Sequence, residues 1–379
     1  MSVSGCAELL ERRLPVSGRR LFAAQVRQAA PCLHEIPFAG RKNMQHGGAE
    51  YYCRMKTEEK EMKIVMLEAA SLGDDLDFSG LSQYGELVIY QKTAREECPE
   101  RIRDADIIMA NKLMLDQGVL ECAEKLKLIC ITATGVNNVD LDYVKSRRIG
   151  VANVAGYSTA SVAQHTFAMY FYVAEKLRYF DEYVKSGEYA ASDSFSNLQE
   201  KFGELSGKTW GIVGLGTIGS RVAAIAEAFG CRVVYYSASG QDRDSRYQRM
   251  ELPEFLQCSD VVSVHAPLTP ATQNLFTYER FCQMKREAVF VNVGRGPIVD
   301  EEGLLRALQE EKIAGAALDV LSLEPMAPDN PLLAFQDSRR LLITPHIAWA
   351  SRESRQLLAS KLGENLKSFL AGGRLNRIC

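Results

Sequence analysis

The sequence predicts an α/β protein made of two open parallel-sheet domains, and three observations carry that prediction. From Lys63 onward, short apolar runs rich in β-branched residues alternate with longer mixed segments. The runs form two series separated by one long helical stretch, and the second series opens on three closely spaced glycines. Runs this short and this apolar suit strands covered on both faces by crossover helices.

The first series comprises KIVML (63–67), ELVIY (86–90), DIIMA (106–110), LKLICI (126–131) and GVANV (150–154). A connecting helix follows over 158–187, where serine and threonine precede apolar residues at helical spacing, and 188–204 is less regular. The second series runs through KTWGIVGLG, CRVVYY, DVVSVH, AVFVNV and AGAALDV. TPHIAWAS (344–351) then carries the chain back toward the first series. Residues 1–61 mix arginine with glycine, proline and polar residues, and read as a disordered or non-native extension that the fold does not need, with Met62 a natural start for the compact part.

The chain has 379 residues, enough for two domains with their own cores. A hydrophobic fraction of 46% with 25% charged residues excludes disorder of the whole, and a net charge of -3 gives no bias toward nucleic acid. The ten cysteines lack metal-site spacing and read as free thiols of a reducing compartment. No apolar run is long enough to cross a bilayer, and ELLERRLP interrupts any secretory signal with charge. The expectation is a cytoplasmic protein with no membrane and no nucleic-acid partner.

WGIVGLGTIGSRVAAIAEAFG puts Gly214, Gly216 and Gly219 between an apolar strand and an amphipathic helix, the order a dinucleotide-binding turn requires. Gly214 permits the tight turn, Gly216 lets the backbone approach a pyrophosphate, and Gly219 lets helix and strand pack closely. The amides of Thr217 and Ile218 then face the phosphates. Ser237 occupies the end of the next strand, where an acid would bind the adenosine ribose of NAD. Serine leaves NAD and NADP both open, with NAD taken first; Arg243 and Arg246 lie downstream and can reach a ribose phosphate. The domain reading is a linking helix and NAD(P)-binding domain at 158–342, and a substrate-binding (catalytic) domain at 62–157 and 343–379. Both are Rossmann-like, separated by a cofactor and substrate cleft.

Loops beyond the carboxyl ends of parallel strands face such a cleft. Val293, Gly294 and Arg295 follow one strand, and His265 and Thr272 another. His265 reads as structural or ribose-side because no acidic partner lies near it in the sequence. The planar Arg295 guanidinium can bind the carboxylate of a 2-oxo acid and polarise its carbonyl. His346 can give a proton to the nascent alkoxide, and Glu324, bonded to its other ring nitrogen, would orient the ring and support its charge.

In their order along the chain, TGVNNVDLD, NVAGYSTASVAQHT, GIVGLGTIG, SVHAPLTPATQNLF, VNVGRGPIVDEEGLLRAL, GAALDV and TPHIAWAS resemble the D-isomer-specific 2-hydroxyacid dehydrogenases, from about Lys63 to the C-terminus. The resemblance implies catalytic roles for Arg295, Glu324 and His346, and cofactor contacts by Thr217, Ile218, Ser237, Val293, Gly294 and Asp319 as well as by Arg295 and His346. Two departures stand out: no acid at Ser237, and Ala155 in place of the more usual proline. NKLML, GYSTASVAQHT and HIAWAS are most similar to glycerate dehydrogenases, also called hydroxypyruvate reductases. That similarity implies hydroxypyruvate reduction to D-glycerate or its reverse, without a metal; Asn111, Lys112 and Arg295 would hold the acid and Trp349 would bound the pocket. Glyoxylate, pyruvate and other 2-oxo acids remain as alternative substrates. A dinucleotide-sensing, corepressor-like binding protein is the alternative of a different class. Relatives commonly dimerise through the 158–187 connection, so a homodimer is expected.

Overall fold

The computed structural model describes residues 62–242 and 246–379; the extension at 1–61 and Arg243 lie outside that range. All five runs of the first series are strands: β1 (Lys63–Met66), β2 (Glu86–Ile89), β3 (Ile107–Ala110), β4 (Leu128–Ile131) and β5 (Gly150–Ala152). They form a parallel sheet in the order β2-β1-β3-β4-β5. Alternation sends Val65, Ile108, Ile129 and Val151 to one core and Ile64, Met66, Ile107 and Leu128 to the other. Among the short helices α1 (Cys98–Ile102), α2 (Gln117–Leu120) and α3 (Leu141–Ser146), the last two are started by Asp116 and Asp140, whose carboxylates accept the N–H of Val119 and Tyr143.

The expected single helix over 158–187 is two, α4 (Thr159–Ala174) and α5 (Leu177–Lys185), broken at Lys176, whose φ is 54°. The sequence gives no warning, because neither glycine nor proline interrupts the stretch. Packing supplies the reason: α4 buries Ala163, Phe167, Tyr170 and Val173 against the core around Trp210, whereas no residue of α5 is buried. At the break the Lys176 ammonium lies 3.2 Å from Glu200, which also receives Arg339.

The second sheet contains β6 (Thr209–Val213), β7 (Arg232–Tyr236), β8 (Gln248–Arg249), β9 (Val261–Val264), β10 (Val289–Asn292), β11 (Gly315–Leu318) and β12 (Leu341–Ile343). Its order is β12-β11-β10-β9-β6-β7-β8, again parallel throughout. The edge strands β8 and β12, two and three residues long, are too short for a periodic signal and were not expected. Helix α6 (Thr217–Ala228) leaves the glycine turn, and α7 (Leu252–Cys258), α8 (Tyr278–Phe281) and α9 (Glu301–Gln309) follow later strands. The last helix, α10 (Arg352–Leu370), returns to the first sheet, seating Leu358, Leu362 and Leu366 in the core of Ile64, Met66 and Leu128. Two Rossmann-like parallel sheets result, as the sequence predicts.

Each sheet reverses its strand order once, between β1 and β3 in the first and between β6 and β9 in the second. Loops at such points diverge and leave a crevice. Gly211, central in β6, is tightly enclosed: a Cβ there would stand 2.7 Å from the Phe255 ring and overlap the Ser259 hydroxyl. Gly211→Ala is expected to lower stability by about 1–3 kcal/mol, measured as a lower urea midpoint with an unchanged m-value.

Candidate active site

The turn from β6 into α6 matches the geometry of a dinucleotide cradle. Gly214 has φ 91°, and a Cβ there would meet the Ala266 Cα at 2.8 Å, so the loop after β9 closes directly on the turn. A Cβ on Gly219 would run into the Gly214 carbonyl, whereas one on Gly216 would meet open space. That space lies at the start of α6, whose N-cap makes no side-chain hydrogen bond. The first amides of the helix, at Thr217 and Ile218, and its dipole are thus available to a pyrophosphate. Ser237 follows β7, its hydroxyl 3.2 Å from that of Ser239, with no carboxylate at that position. Arg246 lies over the Tyr247 ring, 5.1 Å from its centroid.

His265 follows β9 and lines the same cleft. Trp210 Nε1 donates to Ser263 Oγ at 2.8 Å, and Ser263 Oγ is 3.0 Å from His265 Nε2. Ser263 thus joins the indole to the imidazole, and its two lone pairs and one proton suit either tautomer of the ring. Nδ1 is buried and has no hydrogen-bond partner among the described residues, a polar atom left for a ligand. Burial pushes the His265 pKa down to about 3. Thr272, by contrast, serves its own loop, donating to the Pro267 carbonyl at 2.7 Å and accepting the Thr269 N–H.

After β10, Asn292 shapes the turn: its Oδ1 accepts the Gly294 N–H and its Nδ2 donates to the Arg295 carbonyl, both at 3.0 Å. Arg295 Nη1 donates to the Gly294 carbonyl at 2.8 Å. Among the described residues no carboxylate forms an ion pair with this guanidinium. It leans instead on Gly135, in the loop after β4, where any Cβ would overlap Nη2. A residue of the second sheet thereby meets a loop of the first. Neither Asn292 nor Gly135 was singled out from the sequence, although Gly135 sits in the TGVNNVDLD motif.

His346 Nδ1 is 2.6 Å from Glu324 Oε2, so the two residues come together as expected and Nε2 remains for the cleft. Burial pushes the Glu324 carboxyl up, but the hydrogen bond and charge of His346, the Leu321 N–H and nearby Lys112 outweigh it and hold its pKa below the usual value. His346 has φ 55°, a conformation that favours glycine. Asp319 enforces it: its carbonyl accepts the His346 N–H at 2.8 Å, and its carboxylate accepts Thr344 Oγ1 at 2.6 Å and the amides of Ile347 and Ala348 at 2.9 Å. Asp319 lines the cleft, yet its oxygens are engaged within the protein. From α4, Ser161 donates to the Ala348 carbonyl at 2.6 Å and His165 Nε2 lies 3.2 Å from Thr344 Oγ1.

Across the cleft, Asn111 turns inward and its amide donates to Ser71 Oγ at 2.9 Å. Lys112 faces the opening; the cleft walls desolvate its ammonium and lower its pKa, Glu324 and Glu68 oppose that shift, and Arg295 adds to it. Trp349 packs edge-on to Tyr157, with ring centroids 6.2 Å apart. Asn111, Lys112, Ile218, Val293, Gly294, Arg295, His346 and Trp349 thus surround one cleft of about 560 Å³, whereas Ser237 lies outside its lining.

Residues 167–348 match the family described as D-isomer specific 2-hydroxyacid dehydrogenase, NAD binding domain. A hydroxypyruvate reductase from Blautia hydrogenotrophica is 37% identical over 323 residues, which is 83% of this chain and 99% of the relative. The chain belongs to the D-isomer-specific 2-hydroxyacid dehydrogenase family. Among solved structures, an acyclic imino acid reductase (Bsp5) in complex with NADPH and D-Arg superposes with a TM-score of 0.76 at 29% identity, covering 84% of this chain and all of the other. A D-lactate dehydrogenase from Aquifex aeolicus complexed with NAD and lactic acid gives 0.75 at 29% identity, covering 83% and 98%. The dehydrogenase is an NAD(P)-dependent oxidoreductase acting on the CH–OH group of a small 2-hydroxy acid, or on the corresponding 2-oxo acid. None of its described helices is long and apolar enough to cross a membrane.

Two outcomes follow from the cleft. Because the folded His265 pKa lies below its ordinary 6.5, the ring stays neutral in the fold, and its NMR resonances are expected to show no titration between about pH 5 and about pH 8. Its sign for stability is a loss as pH falls from 6.5 toward 3, where the unfolded chain takes up a proton that the folded site refuses. Gly135→Ala puts a methyl group where the Arg295 guanidinium rests; with Arg295 in the substrate-holding role that the family motif implies, it is expected to raise the KM for the oxo acid about tenfold or more, with cofactor affinity unchanged in a fluorescence titration.

Proposed function

We propose that the dehydrogenase reduces hydroxypyruvate to D-glycerate, with Arg295 binding the substrate, His346 donating the proton and Glu324 orienting His346. The observation that carries this reading is the convergence on one cleft, beside the glycine turn, of a guanidinium without an ion pair among the described residues, a lysine and a carboxylate-bound histidine. The choice of hydroxypyruvate is supported by the 37% identical Blautia relative of that name, and by polar Asn111 and Lys112 beside the opening.

In this reading the Arg295 fork pairs with the substrate carboxylate and lies close enough to the 2-oxo group to draw electron density from its carbon. A bound reduced nicotinamide supplies the hydride. His346 holds a proton on Nε2, the nitrogen left free by Glu324, and releases it to the carbonyl oxygen as alkoxide charge develops. Glu324 stabilises the ring while it is charged, and its second oxygen, bonded to the Leu321 N–H at 3.0 Å, keeps the carboxylate from swinging away. Thr217 and Ile218 would meet the pyrophosphate, and Val293, Gly294 and Asp319 the nicotinamide half. Trp349 would limit water at the substrate end, and Ser237 would meet the adenosine ribose, leaving NADH and NADPH both admissible. The free thiols among the described residues suit a reducing, cytoplasmic setting.

We also infer a homodimer. The segment from α5 to residue 202 exposes Val184 (54%), Phe195 (91%), Leu198 (78%) and Phe202 (59%), apolar surface of the kind that a second copy covers.

Initial rates over hydroxypyruvate, glyoxylate and pyruvate, each with NADH and NADPH, test the substrate; a higher kcat/KM for pyruvate than for hydroxypyruvate refutes it. His346→Ala is expected to lower kcat by about 10²–10⁴-fold while the NADH Kd stays near the wild-type value. Near-normal turnover of that variant would remove His346 from the mechanism. Light scattering should give a dimer mass that falls to the monomer in Phe195→Asp/Leu198→Asp; a monomeric wild type contradicts the inference.

A further inference from the structure

Glu68 follows β1 and Asn111 follows β3, the two strands between which the first sheet reverses its order. One oxygen of the Glu68 carboxylate, Oε2, accepts three consecutive backbone N–H groups: Asn111 at 2.8 Å, Lys112 at 3.0 Å and Leu113 at 3.0 Å. Successive amides converging on one anion form a nest, occupied here by the protein's own side chain. Asn138, in the loop after β4, works from the carbonyl side; its Nδ2 donates to the carbonyls of Leu113 at 2.9 Å and Asn111 at 3.3 Å. Ser71 ties the same corner, donating to the Glu68 carbonyl at 2.6 Å while accepting the Asn111 amide. Residues 111–113 belong to no helix or strand, so these side chains do for the segment what a ladder does elsewhere.

We propose that Glu68 and Asn138 act as a clamp on the Asn111–Leu113 backbone, positioning residues that fix where the Lys112 ammonium meets the substrate. The proposal rests on Lys112 being a substrate contact. Lysine is a flexible point charge on a four-carbon stem, so its use in selection depends on how firmly its Cα is held. The clamp draws on both strands beside β3, which ties the position of the ammonium to the sheet itself. Glu68 also sets a negative charge behind a wall that presents Lys112 toward Arg295, easing the approach of two cations in one cleft.

The test compares Glu68→Ala, Glu68→Gln, Lys112→Met and the Glu68→Ala/Lys112→Met double variant. Glu68→Ala is expected to raise the KM for the oxo acid about tenfold or more, with the binary NADH Kd within about twofold of wild type because the clamp does not touch the glycine turn. Glu68→Gln recovers part of the loss, since its amide oxygen still accepts the three N–H groups. In the Lys112→Met background Glu68→Ala adds less than about twofold, as expected of two residues that act as one. Equal factors in both backgrounds, a parallel loss of NADH affinity, or an unchanged KM in Glu68→Ala or Lys112→Met each overturn the clamp. If the wild type prefers another oxo acid, the same ratios are read with that acid, and only the substrate assignment changes.

Discussion

Asp319 closes β11 with its side chain turned away from solvent, and a carboxylate in that position persists only when its oxygens are satisfied. Burial alone would raise its pKa; His165, with Nε2 3.6 Å away, and the hydrogen bonds of Thr344 and the amides of Ala348 and Ile347 reverse the direction and lower it. Satisfying this one group obliges residues 344–348 to wrap around it. That wrapping holds His346 at φ 55°, where a residue with a side chain is disfavoured by about 1 kcal/mol or more. The imidazole can then face Glu324 on one side and the cleft on the other. The imidazole of His346 is therefore set in place by a carboxylate other than the one it bonds, and α4 braces the same segment through Ser161 and His165.

Around that point the two sheets contribute complementary parts. The second supplies amides and one cation at the ends of β6, β9 and β10; the first supplies a lysine and a glycine at the ends of β3 and β4. Neither half holds a complete reaction centre. His265 and His346 illustrate how location decides chemistry, since one imidazole is enclosed among Trp210 and Ser263 without a charge beside it and the other rests on a carboxylate.

Most of the fold was legible because buried parallel strands carry a dense local signal: KIVM, IIMA, LICI and VFVN are apolar, short and β-branched in the sequence as in the sheet. The glycine turn, Arg295, Glu324 and His346 were legible for a different reason, being chemically unusual residues in a recognisable order. The break at Lys176 was not, since it reflects where packing against Trp210 ends rather than any breaker residue. Glu68, Asn138, Gly135 and Asn292 escaped notice because each acts through space on another loop, and such contacts leave no period in the chain. The family motif implies a cofactor contact for Asp319; the bonds its side chain takes from Thr344, Ile347 and Ala348 are visible only in the folded loop.

With Arg295 in its proposed role, its contact with Gly135 makes the substrate a structural element. The guanidinium is rooted in one sheet and rests on the loop of the other, so an acid held there, as proposed, would lie across the seam. Substrate bound in that way would act as a rivet, and the tightness of its grip would gauge how the sheets are seated. Alterations remote from the cleft, in the α4 connection or under α10, can thus surface as changes in apparent substrate affinity without any lining residue having been touched.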